Sequence, residues 1–126
     1  MNKPFEQFQN QDFLNLQTFR KNGEGVATPV WFVQDGKIFY VRTIANSAKV
    51  KRIHNNKKVK IMPCGSQGEP LGIWVNAQAL ESNEADTYSK MASWLAEKYG
   101  EQPRIFEAQA TARGEKYTVL TISMER

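Results

Sequence analysis

The chain has 126 residues and a formal net charge of +4, from 17 Lys and Arg against 13 Asp and Glu. That length allows a single domain over residues 1–126 and excludes a two-domain enzyme. One histidine (His54) and one cysteine (Cys64) exclude an internal disulfide. They equally exclude, within one chain, a zinc site of four cysteines, of paired cysteines and histidines, or of three histidines.

Residues 3–10 read as a short amphipathic helix carrying Phe5 and Phe8. FLNLQTFR (13–20) alternates apolar and polar residues as a half-buried strand does. Asn22-Gly23 is a turn signal, and VATPVWFVQ (26–34) reads as a second strand. Pro29 within it cannot donate to a ladder, which places this strand at an edge or a bulge. Asp35-Gly36 turns the chain into a third strand, KIFYVRT (37–43), so the two form a hairpin. Asn46-Ser47 caps a short helix over 48–55, and KKVKIMPC (57–64) is strand four. After the loop GSQGEP comes strand five, LGIWVNAQAL (71–80), which takes Trp74, as strand two takes Trp31. Asn83 caps the longest helix, 84–99, with Asp86 as its capping-box partner. Tyr88, Met91, Ala92, Leu95 and Tyr99 form its buried stripe, and Gly100 stops it. Residues 101–113 suggest a loop with a short helix, and KYTVLTISM (116–124) is the last strand. The pattern is mainly β: a six-stranded antiparallel barrel with helical covers.

The charge is concentrated. From Gly36 to Gly68 there is no acidic residue, while Lys37, Arg42, Lys49, Lys51, Arg52, Lys57, Lys58 and Lys60 all fall there. The middle third is thus a +8 segment in a chain that is otherwise net acidic. On a helix that starts after Ser47, Val50 and Ile53 lie about 60° apart and face the core. Lys49 then sits in the first turn, where free N–H groups and the helix dipole already attract anions. A phosphate there meets N–H donors, the Ser47 hydroxyl and the Lys49 ammonium, with Lys51 and Arg52 close by on the same helix. A solvated basic helix with no ligand is the competing reading. His54 reads as a surface residue at the helix end, and Cys64 as a buried structural thiol.

The run TPVWFVQDGKIFYVRT followed by SAKVKRIHNN resembles the pyridoxamine 5'-phosphate oxidase-like, FMN-binding split-barrel family. It is most similar to the short branch of coenzyme F420 (deazaflavin)-dependent oxidoreductases. The resemblance implies a six-stranded split barrel that dimerises and binds two cofactors at the dimer interface. It implies that Thr28, Pro29, Val30 and Trp31 line the tricyclic ring. Arg42 and Thr43 would contact the ribityl-phosphate end, with Lys49 on the phosphate and Lys51 and Arg52 as further anchors. Oxidases of the family often carry Arg-Lys where this chain has Ala48-Lys49, and Tyr where it has Arg42, so Arg42 would compensate. The C-terminal Trp and Arg that serve the pyridoxine-phosphate substrate find no match in 116–126, so that particular activity is not expected.

The resemblance therefore implies an oxidoreductase that uses FMN, with coenzyme F420 as the alternative, acting on a small-molecule substrate in a homodimer. A non-catalytic flavin or haem carrier is a second expectation, and a basic nucleic-acid-binding barrel a third. The basic cluster is not interleaved with aromatics, which disfavours nucleic acid. The N-terminus, MNKPFEQFQN, has no apolar signal region, and no run approaches the roughly 20 apolar residues of a membrane helix. The expected setting is the cytoplasm, without a membrane partner.

Overall fold

The computed structural model describes residues 3–82 and 84–124. The elements in chain order are α1 (Lys3–Glu6), β1 (Phe13–Phe19), β2 (Gly25–Val30), β3 (Val33–Asp35), β4 (Ile38–Ile44), α2 (Ala48–Asn55), β5 (Lys58–Cys64), β6 (Val75–Ser82), α3 (Ala85–Tyr99), α4 (Gln102–Ala112) and β7 (Tyr117–Met124). The seven strands form one sheet in the order β2-β1-β5-β6-β7-β4-β3, and its neighbouring pairs are antiparallel.

The two ends of that order, β2 and β3, are consecutive in the chain and separated only by Trp31 and Phe32. So short a connection spans no more than about 10 Å. The sheet must therefore roll up until its ends meet, which makes it a barrel. No ladder pairs β2 with β3 among the described residues, so the barrel is split along that seam.

The interior follows from strand alternation. Leu14 and Leu16 of β1, Phe39 and Val41 of β4, Ile61 of β5, Ala77 and Ala79 of β6 and Ile122 of β7 are buried in one cluster. Val50 and Ile53 of α2 and Phe8 join it, so α2 lies against the barrel by its apolar pair. A second, smaller cluster packs Met91 and Leu95 of α3 on Val119 of β7, with Tyr40, Tyr88 and Tyr99 beside them. Ala92, expected in that stripe, is exposed.

Several sequence expectations need correction. There are seven strands rather than six, because the 26–34 run breaks at Trp31–Phe32 into β2 and β3. Trp31 therefore lies in the seam. Pro29 is on a terminal strand of the sheet, as its missing donor requires. The strand expected from residue 71 begins at Val75. In that segment Leu71 N donates to Pro63 O at 2.9 Å, and Gln7 holds Ile73, its Oε1 accepting from Ile73 N at 2.9 Å and its Nε2 donating to Ile73 O at 3.1 Å. Trp74 is thus outside the strand. The expected N-terminal helix ends at Glu6, and the 101–113 region is a full helix, α4, with Pro103 in its first turn. The capping role expected of Asn83 lies outside the described residues, and Glu84 occupies the N-cap position of α3.

Candidate functional site

The α2 helix spans Ala48–Asn55, with Ser47 at the N-cap position in extended conformation. The Ser47 hydroxyl makes no capping hydrogen bond; its Oγ is buried and has no partner. Lys49 follows in the first turn. Its ammonium is pushed below the ordinary lysine value, first by burial and then by the nearby Arg52 charge. The Arg52 guanidinium is fixed by Nε donating to Thr18 Oγ1 at 2.6 Å. Lys51 is exposed. The first turn of α2 holds no acidic side chain to balance this charge.

On the neighbouring sheet edge, Thr28 stands opposite Leu16 and Val26 opposite Thr18. Alternation puts Thr28, Val30 and Val26 on one face of β2, and Val30 packs against the main core. Thr28 Oγ1 is also buried without a partner. Thr28 is therefore one same-face step from the Thr18 hydroxyl that receives Arg52. Thr28, Ser47, Lys49 and Arg52 thus belong to the β1–β2–α2 end of the barrel. Pro29 points outward and is exposed.

A buried hydroxyl without a hydrogen bond costs about 1–3 kcal/mol. Two such hydroxyls occur here: Ser47 Oγ at the N-cap of the helix whose first turn carries the half-buried Lys49, and Thr28 Oγ1 on β2, one same-face step from the Thr18 that receives Arg52. An anionic group carrying acceptor oxygens, such as the ribityl phosphate of a flavin, would take the Ser47 hydroxyl and offset the Lys49 charge, and a polar ring edge against β2 would take the hydroxyl of Thr28. On that test the residues fit such a cofactor.

Arg42 and Thr43 behave differently. Thr43 is buried on the core face of β4. Arg42 points to the other face, where Nη1 lies 2.9 Å from Glu107 Oε1 and Nη2 donates to Pro103 O at 2.8 Å. Its guanidinium stands 4.3 Å from the Tyr117 ring centroid, and the side chain is only 7% exposed. Glu107 Oε2 also accepts from Tyr88 OH at 2.6 Å. Burial and that carboxylate together raise the Tyr88 phenol well above its usual range. Arg42 thus joins α4 to the barrel, and Ser47, Lys49 and Arg52 form a group without it. Trp31 also turns to the helices: its ring stacks on Tyr99 at 4.6 Å and 18° and lies 5.5 Å from Phe106.

Two features were not singled out as site elements from sequence. A cavity of ≈ 540 Å³ opens beside the end of α2, lined by Ile53, His54, Asn55, Lys57, Ala79, Leu80 and Glu81. His54 Nε2 lies there 2.6 Å from Glu81 Oε1. Leu80 is 62% exposed, an apolar residue on the outward side of β6 that strand alternation could have revealed. Cys64 is buried, and burial raises its thiol above the ordinary value.

These elements define a class: a mainly antiparallel split barrel whose basic helix terminus carries an unsatisfied buried hydroxyl. The profile of the pyridoxamine 5'-phosphate oxidase family matches residues 2–126, and the chain belongs to that family. No curated protein matches the chain by sequence. Among solved structures it is similar to HutZ, the haem storage protein from Vibrio cholerae, with 17% identity, a TM-score of 0.73, and coverage of 98% of this chain and 89% of that one. An F420 reductase aligns with 13% identity and a TM-score of 0.61, covering 96% of this chain and 92% of that one. The General Stress Protein 26 from Bacillus anthracis aligns with 21% identity and a TM-score of 0.63, over 96% and 88%. At these identities the likeness is one of fold. Among the described residues, no helix is long and apolar enough to cross a membrane.

Proposed function

We propose that this chain binds FMN, or in its place the deazaflavin coenzyme F420, and acts as an oxidoreductase on a small organic substrate. The observation that carries the reading is the unsatisfied buried hydroxyl of Ser47 at the N-cap of the helix whose first turn carries Lys49, with a second such hydroxyl on Thr28 of β2. Membership of the pyridoxamine 5'-phosphate oxidase family and the fold shared with an F420 reductase support it. Ser47 and Lys49 hold the phosphate, with Lys51 adding positive charge and Arg52, fixed on Thr18, keeping the potential high. The Thr28–Trp31 segment lines the ring. Arg42 is excluded from the phosphate anchors because Glu107 and Pro103 already occupy it.

The bound cofactor supplies hydride or electron-pair transfer, and the chain itself supplies binding, orientation and exclusion of water. The residues with altered ionisation near the site need not act as acids or bases. The site lies on a sheet edge and a helix end of one chain, and a second copy covering it makes the working unit a cytoplasmic homodimer.

A haem reading, prompted by the haem storage protein among the structural neighbours, is weaker. His54 is the sole histidine, and Glu81 already engages its Nε2 at 2.6 Å. The test is the absorption spectrum and mass of any ligand that co-purifies, followed by calorimetry with FMN, F420 and haem. Saturable flavin or deazaflavin binding supports the proposal. Absence of binding by both overturns it, and haem binding lost in His54→Ala replaces it with the carrier reading.

A further inference from the structure

The seam where the barrel ends meet, Trp31–Phe32, carries backbone groups that no ladder satisfies. The last turn of α3 supplies partners for those of Phe32. Phe32 N donates to Tyr99 Oη at 3.1 Å, and the Tyr99 hydroxyl proton lies within reach of Phe32 O at 3.0 Å and Asp12 O at 2.7 Å. Lys98 Nζ donates to Phe32 O at 2.9 Å and stands 3.6 Å from the Phe32 ring centroid. The indole of Trp31 stacks on the Tyr99 ring itself. Burial raises the Tyr99 phenol, so the hydroxyl stays protonated and remains a donor through neutral pH.

These contacts have a consequence for β2. As a terminal strand it is paired on one side only, by β1, from Leu14↔Val30 to Phe19↔Gly25. Its far end would be free to lift away from the barrel if nothing held the residues that follow Val30. A strand fixed at one edge positions a ligand poorly, because small displacements cost little energy. Two consecutive side chains of α3 close that freedom by holding both polar groups of Phe32 and one face of the Trp31 indole.

We infer that Tyr99 and Lys98 are positioning residues that set the placement of the Thr28–Trp31 segment against its ligand, with Asp12 O as the third point of the clamp. The inference rests on the flavin reading for the identity of that ligand. The clamp lies on the helical side of the seam and acts through the backbone. Neither side chain needs to touch the cofactor.

The experiment uses the full chain as wild type, Tyr99→Phe and Lys98→Met. Tyr99→Phe keeps the ring stack and deletes only the hydroxyl. Two quantities are read: amide hydrogen exchange without ligand, and FMN affinity together with the shape of the bound-flavin absorption band. Tyr99→Phe is expected to speed exchange of the Phe32 amide by at least about tenfold while amides of β6 and β7 keep their wild-type rates. It is expected to weaken FMN binding roughly three- to tenfold and to change the flavin band, signs of a displaced ring that a purely global loss of stability would not give. Lys98→Met gives a smaller change in the same direction. A Phe32 amide that stays protected in Tyr99→Phe overturns the inference. So does unchanged FMN affinity in a variant whose seam has loosened. A wild-type chain that binds neither FMN nor F420 removes the flavin reading and with it the positioning claim, an outcome distinct from a variant that binds as well as wild type.

Discussion

The two faces of the barrel treat their polar groups in opposite ways. On the α3–α4 face, Arg42, Glu107 and Tyr88 satisfy one another, and Lys98 and Tyr99 satisfy the seam. At the α2 end, Thr28 and Ser47 keep buried hydroxyls without partners, and Lys49 is held where burial and Arg52 disfavour its charge. Both faces contain buried charge. The first is complete within one chain, so its charges join elements together. The second lacks acceptors, and missing acceptors are what an anionic ligand brings. Local inconsistency of this kind is where function is expected, since scaffold positions are selected for mutual satisfaction.

The largest effect should come from reversing the charge at the incomplete end. Lys49→Glu is expected to weaken FMN binding about a hundredfold by calorimetry, while Lys37→Glu, on the β3–β4 turn, changes it less than about twofold. Equal losses would mean that only the diffuse +8 field matters and that the comparison is wrong. Next comes the complete face. Glu107→Ala strips a nearly buried Arg42 of its carboxylate and should cost about 2 kcal/mol in denaturant unfolding, reduced from the cost of a fully buried pair because Glu107 is 35% exposed. Its FMN affinity should stay near wild type. An Arg42 that anchors phosphate would instead make the same substitution tighten binding.

A subtler contrast uses Thr28→Val, which removes an unsatisfied hydroxyl and keeps the shape. The ligand-free protein should become more stable by about 1 kcal/mol, and FMN binding should weaken several-fold. Loss of stability would show that the hydroxyl already has a partner. The smallest effect concerns pH. Burial pushes Lys98 down to about 8, against the opposing charge of Asp12. The unfolded chain then binds more protons than the folded one from about pH 8 up to the ordinary lysine range, so this group makes stability rise with pH across that window. Lys98→Met should remove that rise, seen as wild-type minus variant Tm from roughly pH 7.5 to 10.5. A flat difference contradicts it.

Much of this was legible in the chain. Ser47 followed by Val50 and Ile53 gives the α2 helix at Ala48–Asn55, since an N-cap residue and an apolar pair three apart are local signals. Pro29 marks an edge strand for an equally local reason. The break at Trp31–Phe32 is different: both residues favour strand, and the groups that stop the ladder, Lys98 and Tyr99, come 66 and 67 residues after Phe32. Arg42 is a similar case. The resemblance gave it to the ribityl-phosphate end, and the partner that occupies it, Glu107, is 65 residues away. Helix α4 was readable in part, because Pro103 in its first turn and Gly114 just beyond its end are start and stop signals. At the site, Lys49 and Ser47 followed from helix-terminus chemistry. The lack of partners for Thr28 and Ser47 depends on packing between β1, β2 and α2, which no local pattern encodes.

The most direct measurement is a crystal structure of the protein with FMN. The flavin phosphate is expected within hydrogen-bonding distance of Ser47 Oγ and Lys49 Nζ, with Arg42 still paired to Glu107. Phosphate held by an Arg42 released from Glu107, or no flavin at the α2 end at saturating FMN, would contradict the division between a complete face and an incomplete one.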